Sequence, residues 1–119
     1  IIDSIMGLFR TEFQGRGELA ERQQVLGRLL ANLSRMANDF NVAILYTNEV
    51  ITIPDGTTFV SDPNKPAGGH VLAHASTMRI ELQKGRGDIR IAKIVDSPSR
   101  PEAEAQFQMT EGGITDPAE

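Results

Sequence analysis

Residues 42–47, VAILYT, constrain the fold more than any other stretch of this chain. The run carries β-forming, apolar residues with no polar alternation, so it reads as a strand buried on both faces. Such strands belong to sheets that helices cover on either side. A helix is available just upstream. From Gly17 to Asp39 the apolar residues Leu19, Leu26, Leu29, Leu30, Leu33, Met36 and Ala37 recur at spacings of three, four and seven, which predicts an amphipathic helix of about six turns. Further upstream, IIDS is an apolar run closed by an acid and a hydroxyl, as at the carboxyl end of a buried parallel strand. IMGLFRTEF is apolar enough to pack as a short helix, and the two glycines of QGRG break it.

Downstream of VAILYT, residues 48–70 (NEVITIPDGTTFVSDPNKPAGGH) follow neither a helical nor an alternating pattern. Structureless connections longer than about 12–15 residues are uncommon in compact domains, and are usually either functional or disordered. Both readings stay open on these residues alone. HVLAHAS then predicts a short helical turn, and TMRIELQK alternates as a strand does. GRGD predicts a tight turn into IRIAKIVDS, so the two runs form a hairpin. PSRPEAEA is a loop bracketed by prolines, and AQFQMT a final strand. Strand, helix, strand and a three-stranded meander predict an α/β domain with a mixed sheet.

At 119 residues the chain fits one domain. It has no Cys, which excludes disulfides and Cys-based zinc sites and suits a reducing compartment. No apolar run approaches the ~20 residues of a membrane span, and the expectation is a soluble intracellular protein. The net charge of −4 argues against general affinity for nucleic acid, but the basic residues are unevenly placed. Arg10, Arg16, Arg22, Arg28 and Arg35 punctuate the first third, and Lys84, Arg86, Arg90 and Lys93 crowd one short segment. Local patches decide binding more than the sum does.

Five stretches could carry chemistry, each with a plainer alternative. Asp3 ends its strand where α/β folds place ligands, and such an aspartate can hold Mg²⁺ through water; it could equally cap the following helix. In FRTEFQGRGELAERQQ the glycines flanking Arg16 let the backbone bend and present the guanidinium to phosphate, or the segment is a solvated helix start with Glu18 and Glu21 near the positive dipole end. In the long segment, Phe59 and Lys65 suit contacts to bases and phosphate, against disorder without function. His70 and His74 stand at i and i+4, the spacing of a helical metal pair, but no third ligand is evident. QKGRGDIRIAK is a basic hairpin that could meet nucleic acid or simply keep a sheet edge soluble.

Taken together, IIDSIMGLFR, GRGELAERQQ, SDPNKPAGGHVLAHAST, KGRGDIRIAKIVDSP and PEAEAQFQMTEGGITD stand in the order found in the RecA/RadA family of recombinases. Over nearly the whole chain they are most similar to its eukaryotic, meiotic strand-exchange branch. The resemblance implies the C-terminal part of a RecA-type P-loop ATPase core, with a mixed, mainly parallel sheet and a C-terminal β-meander. It implies a nuclear, ATP- and Mg²⁺-dependent recombinase that assembles into rings or filaments on single-stranded DNA, pairs it with duplex DNA and works with recombination accessory proteins. No membrane role is implied.

By that resemblance Asp3 matches the aspartate that positions Mg²⁺ and ATP. Phe13, Arg16 and Arg22 fall in and beside the first DNA-binding loop, with Arg10 at its entry. The stretch from Val50 to Ala67, with Phe59 and Lys65, matches the second loop, and Arg86 and Arg90 lie in a further basic region linked to DNA. His74 matches a residue that senses the terminal phosphate across the subunit interface. Asp96 to Pro101, including Ser97 and Pro98, resembles the cap laid over the neighbouring subunit's ATP.

Two departures stand out. The sequence contains no G-x-x-x-x-G-K-[ST], the phosphate-cradling P-loop, nor the upstream strand that carries the family's catalytic glutamate. Residues 1–119 are therefore expected to be the C-terminal portion of the ATPase and DNA-binding domain, inactive alone. A non-hydrolysing relative that only binds DNA or regulates filaments is the alternative. The second departure is Glu49, where the family usually has a glutamine that reaches the terminal phosphate. A carboxylate ~4 Å from phosphate is repelled by on the order of 4 kcal/mol at an effective dielectric of about 20, so Glu49 is expected to weaken the coupling between ATP and DNA. For the loop, Arg16→Ala in the full-length protein is expected to weaken single-strand binding almost independently of base sequence and to reduce its salt slope by about 0.7. Anisotropy titrations at several salt concentrations check it, and a sequence-dependent loss at unchanged slope contradicts a phosphate contact.

Overall fold

The computed structural model describes residues 1–9, 17–52 and 64–118. It divides into two compact units, Ile1–Ala75 and Ser76–Glu119.

In the first unit the dominant element is helix α1, Leu19–Phe40, close to its predicted bounds. Glu21 in its first turn complements the positive end of the helix dipole. Asn41 ends the helix in the left-handed conformation (φ 50°, ψ 51°), which its short polar side chain tolerates. The middle of the predicted apolar stripe is what the fold uses. Leu26 is 0% exposed and Leu30 is buried, with Val25, Leu29 and Leu33 packed beside them. Leu19 and Met36, at the stripe's ends, lie exposed.

Residues 1–9 run alongside the segment after α1. Ile2 and Tyr46 form a parallel bridge, held by Ile2 N–H to Leu45 O (2.9 Å) and Thr47 N–H to Ile2 O (3.0 Å). The mainly parallel sheet expected from these two runs is represented among the described residues by this bridge alone. VAILYT is not buried on both faces, since Val42 is 51% and Leu45 57% exposed. The reason is pairing: residues 1–9 meet only one edge of the run, and no other described strand pairs with it. The chain then turns inward, and Ile5, Met6 and Phe9 enter the core.

The long segment corrects the expectation of a patternless connection. Its ends pair as an antiparallel ribbon of β1 (Val50–Thr52) and β2 (Asn64–Pro66), with Val50 opposite Pro66 and Ile51 opposite Lys65. The ladder continues at its base, where Ala67 N–H donates to Glu49 O (2.8 Å) and the Asn48 side-chain amide donates to Ala67 O (2.8 Å). Three-residue strands give no readable alternation, so the sequence hid them. Helix α2, Gly69–Ala75, follows and buries Leu72 against α1. Gly68 makes the entry to α2 possible. Its φ is +89°, and a Cβ there would lie 2.9 Å from Leu72 Cδ2.

The second unit is a four-stranded antiparallel meander in the order β3 (Arg79–Lys84), β4 (Ile89–Asp96), β5 (Glu104–Thr110) and β6 (Gly113–Thr115). The predicted hairpin forms β3 and β4, turning at Gly87 with φ +59°. The predicted final strand is β5, and the chain adds β6 beyond it. The register gives the sheet two unlike faces. Ile80, Leu82, Ala92, Ile94, Ala105, Phe107, Met109 and Ile114 share one with Lys84 and Arg90, and Glu81, Gln83, Lys93, Glu104, Gln106 and Gln108 share the other with Ile89 and Ile91. On the apolar face the outer strands are open, with Leu82 69% and Ile114 74% exposed.

Leu26→Ala is expected to cost about 2–5 kcal/mol, because it opens a cavity in the centre of the first unit's core. Leu19→Ala, at an exposed position, is expected to stay within about 1 kcal/mol; urea denaturation of the full-length protein checks both. Asn48→Ala is expected to loosen the ribbon's base by about 1 kcal/mol, read as roughly fivefold faster hydrogen exchange at the Ala67 amide.

Candidate nucleic-acid interface

Three elements of the first unit surround an open groove of about 550 Å³: the start of α1, the ribbon and the start of α2. Its walls are mostly apolar, from Leu19, Ile51, Pro66 and Val71, and Arg22 and Gln23 supply polar groups. Helical periodicity explains this placement. Arg22 precedes buried Leu26 by one turn on the same side of α1, so the core fixes where the guanidinium emerges. Arg22 Nε and Gln23 Oε1 are both shielded from solvent without a hydrogen-bond partner among the described residues. Leaving a buried polar atom unpaired costs about 1–3 kcal/mol. Both residues line the groove beside two glycines of positive φ (Gly68, +89°; Gly69, +62°).

Arg22 lines a second, smaller cavity of about 80 Å³ as well, together with Met6, Phe9, Ala67 and the half-buried Glu49. The fold therefore brings Glu49 and Arg22 to one space, although they stand 27 residues apart. Nothing in local spacing signals this. Gln23 likewise passes unnoticed in the sequence, where a glutamine on a helix reads as solvated surface.

Of the other residues expected to meet DNA, Arg10, Phe13, Arg16 and Phe59 lie outside the described residues, as does the side chain of Lys65. Arg86 and Arg90 belong to the second unit. Arg86 is exposed in the β3–β4 turn, whereas Arg90 Nη1 donates within that turn, to Gly87 O (3.0 Å) and Ile89 O (2.9 Å). Part of its guanidinium therefore holds the hairpin.

The nucleotide-side residues are equally distinct. Asp3 is exposed at the end of its bridge, and Thr47 Oγ1 donates to its Oδ1 at 2.5 Å. Parallel pairing of Ile2 with Tyr46 makes the following residue of each segment a neighbour, so Asp3 meets Thr47 by register. Sequence reasoning missed Thr47, because its partner lies 44 positions away. His74 is exposed and stacks on His70, with ring centroids 6.2 Å apart. Among the described residues no three His, Cys, Asp or Glu side chains gather as a metal cage. Asp96 pairs with Arg79 at 3.3 Å, an exposed ion pair of small energetic weight. Ser97 Oγ accepts from the N–H groups of Ser99 (3.3 Å) and Arg100 (3.2 Å), which curls the chain between exposed Pro98 and Pro101. Among the described residues no helix is long and apolar enough to cross a membrane.

Comparison with known proteins agrees with this arrangement. The Rad51 family model matches residues 1–117. The chain is 58% identical, over 98% of its length, to a meiotic recombination protein DMC1 homolog of Lilium longiflorum, covering 33% of that protein. To the Arabidopsis thaliana DMC1 homolog it is also 58% identical over 98%, covering 34%. To the Homo sapiens DMC1/LIM15 homolog it is 59% identical over its full length, covering 35%. The chain spans about a third of the length of these relatives. A family match over 117 of 119 residues shows that this chain belongs to the Rad51 family.

Proposed function

We propose that the protein is an ATP-dependent DNA recombinase that pairs homologous strands in meiotic recombination, acting in the nucleus as a filament on single-stranded DNA. The observation that carries this reading is identity of 57–59% to meiotic recombination proteins over nearly the whole chain. Residues 1–119 are the C-terminal portion of its RecA-like domain, in keeping with the third of each relative that they cover. A P-loop supplied outside these residues cradles the nucleotide's phosphates.

Two local features support the division of labour. The groove at Arg22 suits a strand backbone, since a guanidinium pairs with phosphate in two parallel hydrogen bonds. Its apolar walls at Ile51 and Val71 accept the unstacked faces of bases. At Asp3, the exposed carboxylate and its Thr47 hydroxyl partner fit an outer-sphere role toward Mg²⁺, which keeps most of its waters and binds through few carboxylates. When bound with ATP, the ion neutralises charge on the phosphates during hydrolysis. Thr47 orients the carboxylate for that contact. His74 and the turn from Asp96 to Pro101 sit at the surface, where a neighbouring subunit's nucleotide can reach them.

Glu49 favours a second reading, in which the protein binds DNA and filaments without hydrolysing ATP. The two readings separate on one measurement. In the full-length protein, DNA-stimulated ATP hydrolysis is expected, and Asp3→Asn is expected to lower it by about 10- to 100-fold, the usual loss for an outer-sphere partner of a metal. No stimulated hydrolysis in the wild type selects the second reading, and an unchanged rate in Asp3→Asn removes Asp3 from the site.

A further inference from the structure

We propose that Glu49 is a built-in competitor for the strand phosphate at Arg22, lowering the protein's affinity for single-stranded DNA through charge. The inference rests on the reading that Arg22 meets the nucleic-acid backbone, and adds to it a residue that holds that contact in check.

The geometry is specific. Arg22 borders two spaces, the open groove of about 550 Å³ and a smaller pocket of about 80 Å³. Glu49 borders only the second, with Met6, Phe9 and Ala67 as apolar walls. At roughly 30 Å³ per water, that space holds two or three waters, so Arg22 and Glu49, which both line it, lie within a few water diameters of each other. Met6, Phe9 and Ala67 are themselves buried while Ile51 is exposed, so solvent screening is reduced on one side of the space and the charges act over several ångströms. Glu49 is also fixed in position. Its carbonyl accepts the Ala67 N–H (2.8 Å), and the adjacent Asn48 amide holds Ala67 O (2.8 Å), so the ribbon's base pins the backbone from both sides.

A phosphate entering the groove therefore meets an arginine whose charge is already partly balanced from behind. The strand gains less from the contact than it would from an unopposed guanidinium. Fewer counterions are released per phosphate bound, because the arginine carries a resident anion. Replacing Glu49 with Gln keeps size and hydrogen-bonding shape while removing the charge, so the effect isolates electrostatics from packing.

The test uses the full-length protein and a fluorescein-labelled oligothymidylate, titrated by anisotropy at several salt concentrations with nucleotide held constant. Wild type, Glu49→Gln, Arg22→Ala and the double variant form a cycle, and circular dichroism verifies their folding. Glu49→Gln is expected to bind up to about fivefold tighter, the range of a partly exposed charge pair. Its salt slope is expected to steepen by up to about 0.7, the value of one phosphate contact on a single strand. Both gains are expected to vanish in the Arg22→Ala background. Unchanged affinity in Glu49→Gln, or a gain that persists without Arg22, overturns the inference while leaving the proposed function standing. If Arg22→Ala itself binds like wild type, the backbone role of Arg22 fails first, and the competition falls with it.

Discussion

The burial of Leu26 is the constraint on which the first unit depends. This side chain gathers residues from four separate stretches into one cluster: Ile5, Met6 and Phe9, Leu30 on its own helix, Ala67 after the ribbon, and Leu72 on α2. Several of them lie close in sequence to residues of the candidate interface. Asp3 and Ser4 precede Ile5, Arg22 lies one turn before Leu26, Gly68 follows Ala67, and His70 and His74 flank Leu72. Apolar packing is non-directional, but once helices and turns are fixed it dictates where the intervening polar groups emerge.

The interface so formed is built from compromises. Arg22 Nε and Gln23 Oε1 are held without partners, and Arg22 looks into a space that also contains a carboxylate. Stability alone does not favour such a cluster. Gly68 combines positive φ with close approach to Leu72, and Gly69 follows it with positive φ beside Gln23.

The second unit works by different means. Its antiparallel meander is held by backbone ladders over four strands and carries no fully buried side chain. One face is mainly apolar and the other mainly polar, and the basic hairpin at Lys84, Arg86 and Arg90 lies at one end. Arg90 is divided between holding its own turn and presenting charge. The charge run in the sequence is thus partly structural.

The sequence by itself determined α1, the hairpin and the meander, because each carries a periodic signal many residues long, and it determined family membership, because several long motifs keep their order. It also marked residues 48–70 as unusual and Asp3 as a strand-end acid. It overstated the burial of VAILYT, since an apolar run reports the burial a strand can accept and not the neighbours that provide it. Only tertiary structure joined Asp3 to Thr47, closed the ribbon through Asn48 and Ala67, and set Glu49 and Arg22 around one small cavity. These pairings cross between 19 and 44 positions in the chain, and nothing in local periodicity encodes which distant residue a packed core will bring alongside.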